Sequence, residues 1–157
     1  MFYEGILLIA GLAGRVNLDH LNVAHMEVVR LHDFLGAWFR GEEGKDTFAA
    51  SFADVLHDEF ENIQPAGAIL KRSDLIEQVW NGHGTNPNFQ ISIEEPRLLG
   101  YWPDLLLFQY VELQTGARSS APENRRLSTV LFEVANEGFF WRYLTEVGLD
   151  VATAASS

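Results

Sequence analysis

The chain has 157 residues, 47% hydrophobic and 21% charged, which is the size and balance of one globular domain around a single core. Its net charge of -11, from 22 Asp plus Glu against 11 Lys plus Arg, repels a phosphate backbone and excludes nucleic acid as the main partner. Without cysteine there is no disulfide, thiolate nucleophile or cysteine-type zinc site, and the composition fits a cytoplasmic protein.

Residues 1–25 are expected as an N-terminal extension, either an extra helix or sequence upstream of a start at Met26. Gly5 to Gly14 is apolar, but about ten residues are too few to span a bilayer, and Glu4 sits where a signal peptide needs positive charge. No membrane partner is therefore expected. From Met26 to Arg40 the residues Val28, Leu31, Leu35, Trp38 and Phe39 recur at three- and four-residue steps, predicting a helix with one apolar face that Gly41 stops. His32 lies beside that face and reads as a packed core or interface side chain rather than a ligand. A short second helix is expected from the cap Asp46, with Phe48, Phe52, Val55 and Leu56 in register.

His57 to Gln64 alternates as a strand, placing Phe60, Asn62 and Gln64 on one side, and Pro65-Ala66-Gly67 ends it. Ser73 or Asp74 caps a third helix whose buried stripe is Leu75, Ile76, Val79 and Trp80 and whose end is Asn81-Gly82. Phe89 to Leu99 is extended, with Pro96 marking an edge or a bulge. Leu105 to Thr115 and Arg125 to Ala135 are strands joined by a polar loop with Gly116, Ser119, Ser120 and Pro122, and Asn136-Glu137-Gly138 turns the second into Phe139 to Val147. Helices early and strands late favour an α+β domain over residues 26–147: a curved antiparallel or mixed sheet wrapped around three helices from the N-terminal half. Residues 148–157 are expected to fray.

With Thr115 opposite Arg125 and Glu133 opposite Trp141, one sheet face carries Phe108, Tyr110, Glu112, Gln114, Arg126, Ser128, Val130, Phe132, Leu144 and Glu146. An apolar floor there gives way to the polar groups Glu112, Arg126, Ser128 and Glu146, the composition of a pocket for a small, partly apolar metabolite. Asn62 and Gln64 add amides, Tyr110 belongs to the floor, and Trp80 and His83 are placed to close the mouth. Two carboxylates in one buried row do not both ionise easily without Arg126 nearby, so Glu112 and Glu146 are the candidate acid or base. The alternative is a structural Glu112–Arg126 ion pair. The five histidines show no HxH or HExxH spacing, and no GxSxG, Walker or GxGxxG motif occurs, so neither a metal nor a cofactor is expected.

Element order and several short motifs resemble the nuclear transport factor 2-like superfamily, the cone-shaped α+β fold of SnoaL-like polyketide cyclases, ketosteroid isomerase and scytalone dehydratase. The motifs are LHDFLGAWFRGE (Leu31 to Glu42), FENIQPAG (Phe60 to Gly67), RLSTVLFEV (Arg126 to Val134) and WRYLTEV (Trp141 to Val147). The resemblance implies a pocket between concave sheet face and helices, and a homodimer through the convex face, here Gln109, Leu131, Trp141 and Tyr143. Its catalytic residues do not carry over. Gln64 stands where ketosteroid isomerase has its base carboxylate, Val130 replaces the second carboxyl, and the histidine–aspartate pair of the cyclases and dehydratases has no matched counterpart. Two functions follow: a pocket protein without evident catalysis, or a lyase or isomerase with Glu112 or Glu146 as base and Arg126 stabilising an oxyanion.

Overall fold

A computed structural model describes residues 16–118, 121–135 and 138–149. Its first helix, α1, is Val16–Arg40, 25 residues long. Ala24, Val28, Leu31, Phe34 and Trp38 recur at three- and four-residue steps along it and are buried in the core, while Met26 on the opposite side is 60% exposed. The helix runs through Met26 without a break and Ala24 is already core, so the packed domain reaches further toward the N-terminus than the expected boundary at residue 26. Residues 1–15, the 119–120 and 136–137 turn positions and the tail from 150 lie outside the described residues.

The expected second helix is broken up. A 3-10 turn at Lys45–Thr47 leads into α2 (Phe48–Ser51), and a second 3-10 turn follows at Ala53–Val55. Phe48 and Phe52 are buried in it, against Trp38 and the inner sheet face. Strand β1 (Leu56–Ile63) turns back into a three-residue strand, β2 (Ile69–Lys71), which alternation did not reveal because it is too short to show a period. The third helix, α3 (Arg72–Asn81), begins earlier than expected: Lys71 is the N-cap, and Asp74 accepts its backbone N–H at 3.3 Å. The Trp38 indole N–H donates to the Val79 carbonyl at 2.7 Å and fastens α3 to α1.

Four long strands complete the sheet: β3 (Gln90–Trp102), β4 (Leu105–Thr115), β5 (Glu123–Ala135) and β6 (Gly138–Gly148). The order is β2-β1-β6-β5-β4-β3, antiparallel except where β1 runs parallel to β6. The register of β3 shifts between Glu94 and Arg97, the bulge expected at Pro96, with Glu95 at a φ of 52°. Thus the molecule is an α+β cone, with α1 lying across the concave face of a mixed sheet.

Two registers differ from expectation, with opposite consequences. In the β4–β5 hairpin Thr115 pairs with Glu123 rather than Arg125. A slip of two residues preserves the sides, so Tyr110, Glu112, Gln114, Arg126 and Ser128 still face α1. In the β5–β6 pair an irregularity between Leu131 and Phe132 sets Trp141 opposite Phe132 instead of Glu133. That shift of one moves Trp141 off the convex face: it is fully buried on the concave side, edge-on to Phe132, and its indole N–H donates to Glu27 on α1 at 2.8 Å.

Candidate functional site

Between α1, α3 and the outer half of the concave face lies a cavity of about 800 Å³ that opens to solvent. Leu31, Leu35, Phe39, Phe52, Phe60, Leu75, Val79, Phe89, Ile91, Trp141 and Leu144 line most of it. Seven of its polar groups form one row that crosses the sheet. His32 of α1 faces Glu112 of β4; Gln114 of β4 and Asn124 and Arg126 of β5 come next; Glu146 of β6 and Asn62 of β1 end it. Alternation aims these side chains inward, and the parallel β1–β6 pair, with Asn62 in register beside Leu144, delivers Asn62 to the far end.

The row is held by hydrogen bonds throughout. His32 Nδ1 lies 2.7 Å from the Val28 carbonyl and Nε2 lies 3.0 Å from Glu112 Oε1. A carbonyl only accepts, so Nδ1 carries a hydrogen, and the Nε2–Oε1 contact then requires a proton shared between the imidazole and the carboxyl. Gln114 Nε2 donates to the other Glu112 oxygen. Arg126 donates through Nε to Asn124 Oδ1 at 3.1 Å, through Nη2 to Gln114 Oε1 at 3.4 Å and through Nη1 to Glu146 Oε2 at 3.0 Å. Asn62 Nδ2 donates to Glu146 Oε1 at 2.9 Å. The sequence-level choice between a Glu112–Arg126 pair and free carboxylates resolves differently: Arg126 pairs with Glu146, and Glu112 pairs with His32.

These partners separate the two carboxyls. Burial alone would raise Glu112, but the hydrogen bond and charge of His32, the charge of Arg126 and the Gln114 bond bring it below the ordinary carboxylate value. For Glu146, burial and the charge of Glu112 outweigh Asn62 and Arg126 and push it up. Burial opposes the charge on His32, yet the bond and charge of Glu112, with the Val28 carbonyl, win and raise it. Tyr110, raised well above the phenol range by burial and by both carboxylates, is a neutral hydroxyl. It pairs directly with Ser128; both are fully buried behind the row, and among the described residues neither hydroxyl has a partner other than the other.

Asn62, Gln64, Glu112, Arg126 and Glu146 all reach the cavity wall, whereas Tyr110 and Ser128 support it from beneath. Trp80 and His83, expected at the mouth, lie elsewhere. Trp80 stacks near Trp38 and Phe48 with the Lys45 ammonium over its ring, and His83 Nε2 donates to the Glu43 carbonyl at 2.7 Å. His32, Gln114 and Asn124 are the members of the polar row that the sequence-based site lacked, and Gln78, Thr85, Asn86 and Arg118 are further polar lining residues outside it. The only local signal was the position of His32 beside the apolar stripe, because its carboxylate partner lies 80 residues away. Among the described residues no group of three or more His, Asp or Glu is arranged to hold a metal ion, and no helix is long and apolar enough to cross a membrane.

Neither a protein-family model nor a curated protein matches the chain. Solved structures do. A nuclear transport factor 2-like protein of unknown function from Pseudomonas aeruginosa superposes with a TM-score of 0.73 at 28% identity, over 81% of this chain and 98% of its own. The chain belongs to the nuclear transport factor 2-like superfamily. A second such protein, from Cytophaga hutchinsonii, has a TM-score of 0.65 at 11% identity, covering 82% of this chain and 97% of its own. A hexachlorocyclohexane dehydrochlorinase from Novosphingobium barchaimii has 0.59 at 12%, covering 83% and 90%, a likeness of fold alone. In this nuclear transport factor 2-like chain the cavity carries its titratable groups on α1, β4, β5 and β6 and just after β4, with neutral Asn62 on β1 and Gln64 directly after it.

Proposed function

We propose that the protein binds a small, partly apolar molecule in the cavity, its hydrocarbon part against α1 and any neutral polar group it carries inside against the row from Glu112 to Asn62. The carrying observation is an apolar wall of about 800 Å³ interrupted by one convergent polar row. Ligand sites are typically roughly 300 to 1,000 Å³ and built this way. Native mass spectrometry of the purified protein tests the reading: a co-purified mass that is lost on filling the cavity with Leu35→Trp supports it, and an empty protein that also binds no apolar probe in solution counts against it.

A second reading, a lyase or isomerase, is favoured by one observation, the upward shift of Glu146 on the cavity wall. Of the two candidate bases Glu146 suits it better, because Glu112 is held as a stable anion by His32. Three of the five N–H groups of Arg126 already donate within the row, which leaves one each on Nη1 and Nη2 for an oxyanion. A dehydrochlorinase among the structural neighbours adds only that this fold accommodates elimination chemistry. Glu146→Gln removing turnover of a bound compound while leaving its affinity would establish catalysis.

The convex face is the proposed homodimer surface, through Gln109, Leu131 and Tyr143, which lie half-buried on the side away from α1; Trp141 takes no part. Tyr143→Asp should then give a soluble monomer in sedimentation, and a mutant that stays dimeric would move the interface elsewhere.

A further inference from the structure

We propose that the ligand of this cavity is an apolar acid, with its hydrocarbon body inside and its carboxylate bound by Arg118 at the mouth. This rests on the pocket reading above and names the class of molecule it takes.

Residues 116–118, directly after β4, are pinned beside the cavity. Gly116 has a φ of 71°, and a Cβ there would lie 2.5 Å from the Asn88 carbonyl oxygen, so glycine alone lets the chain lie against residues 86–89. The Asn86 side chain donates to the Gly116 carbonyl at 2.8 Å, and the Ala117 N–H donates to the Pro122 carbonyl at 3.3 Å. Ala117 and Arg118 are thereby carried onto the cavity wall.

Charge then decides what the mouth selects. The exposed members of the lining are Pro65, Ala66, Gln78, Thr85, Arg118 and Gly148, and Arg118 is the charged one among them. Inside, each charged side chain already has its counterpart, His32 with Glu112 and Arg126 with Glu146. Arg118 has no hydrogen bond or ion pair among the described residues. In a chain with twice as many acids as bases, a mouth whose described lining carries one exposed guanidinium and no exposed acid is set for an anion. A further charge deep in the compensated row would be left without a partner, which is costly, so the ligand's charge belongs at the mouth. The guanidinium fork matches one carboxylate. The net charge of -11 opposes an anion only weakly there, because charges beyond roughly 8 Å are screened at physiological salt.

Calorimetric titration of the whole protein and of Arg118→Gln with 4-phenylbutyrate and its uncharged amide tests this. The acid should bind the wild type about fivefold more tightly than the amide, and Arg118→Gln should abolish that preference while leaving the amide unchanged. Equal affinities in the wild type, or an Arg118→Gln variant that weakens both probes alike, would overturn the acid proposal and leave the pocket reading standing. Neither probe binding, with no amide NMR shifts at Leu35 or Val79, would overturn the pocket reading and this inference together.

Discussion

Two buried carboxylate sites face α1, and they are built for different ends. Glu27, on α1 itself, accepts from Nε and Nη2 of Arg30 three residues on, at 2.7 and 2.9 Å, and from the indole N–H of Trp141 at 2.8 Å. It sits in the seam between helix and sheet, away from the cavity wall. Glu112 and Glu146 are as deeply buried, but they line the cavity, and their pKa values are pushed apart by His32 on one side and by their own proximity on the other. Burial of an acid therefore does not mark a site in this fold. What marks it is an acid that has both a cavity and a neighbour contending for its charge.

Substitutions should separate the two sites. The largest effect is expected at the seam: Glu27→Leu takes the acceptor from the buried Trp141 N–H and removes the carboxylate to which Arg30 Nε and Nη2 donate, and should cost about 3 kcal/mol in chemical denaturation, with ligand affinity unchanged. A comparable loss of affinity would mean that the seam is part of the site. Glu112→Gln keeps a hydrogen-bonding group against His32 but removes the charge, and should cost about 1 kcal/mol near neutral pH.

The pH dependence of stability gives a finer contrast. The raised pKa of His32 contributes stability that is complete below its unfolded value of 6.5 and is lost as pH rises through the higher folded value. The lowered pKa of Glu112 contributes stability present above 4.5 and lost as pH falls through the folded value below it. The pair should therefore hold the fold best between those limits, and His32→Gln should erase the alkaline arm of a thermal-stability profile. An alkaline arm that survives in His32→Gln would show that the pair does not titrate as its geometry requires.

Glu146→Gln should have the smallest effect. Its raised pKa favours the protonated form, so the stability it adds is complete below 4.5 and fades as pH rises through the folded value. The amide variant should match the wild type in acid and be equal or slightly more stable, by under about 1 kcal/mol, at neutral pH. A marked neutral-pH destabilisation would instead make the Arg126–Glu146 bond a structural pair like that of Glu27.

The sequence by itself determined the α+β class, the long strands β4 to β6, and which side of them carries Tyr110, Glu112, Gln114, Arg126, Ser128 and Glu146. The reason is that a strand's sides follow a period of two, and a pairing slip of two residues leaves that pattern intact. The first helix was legible from Val28 to Trp38 for the same kind of reason; the same steps run back through Ala24 and Leu21, but the apolar stretch before them drew the boundary to Met26 instead. Only the tertiary structure decided the rest. One irregularity between Leu131 and Phe132 turned Trp141 from surface to core, and no local pattern announces a bulge of one residue. The parallel β1–β6 pair put Asn62 beside Glu146, 84 positions on, and α1 put His32 against Glu112, 80 positions on. Such partners have no signature in sequence spacing. They meet because the sheet curves around the helix, and that curvature also leaves part of the interior open as a cavity instead of filling it.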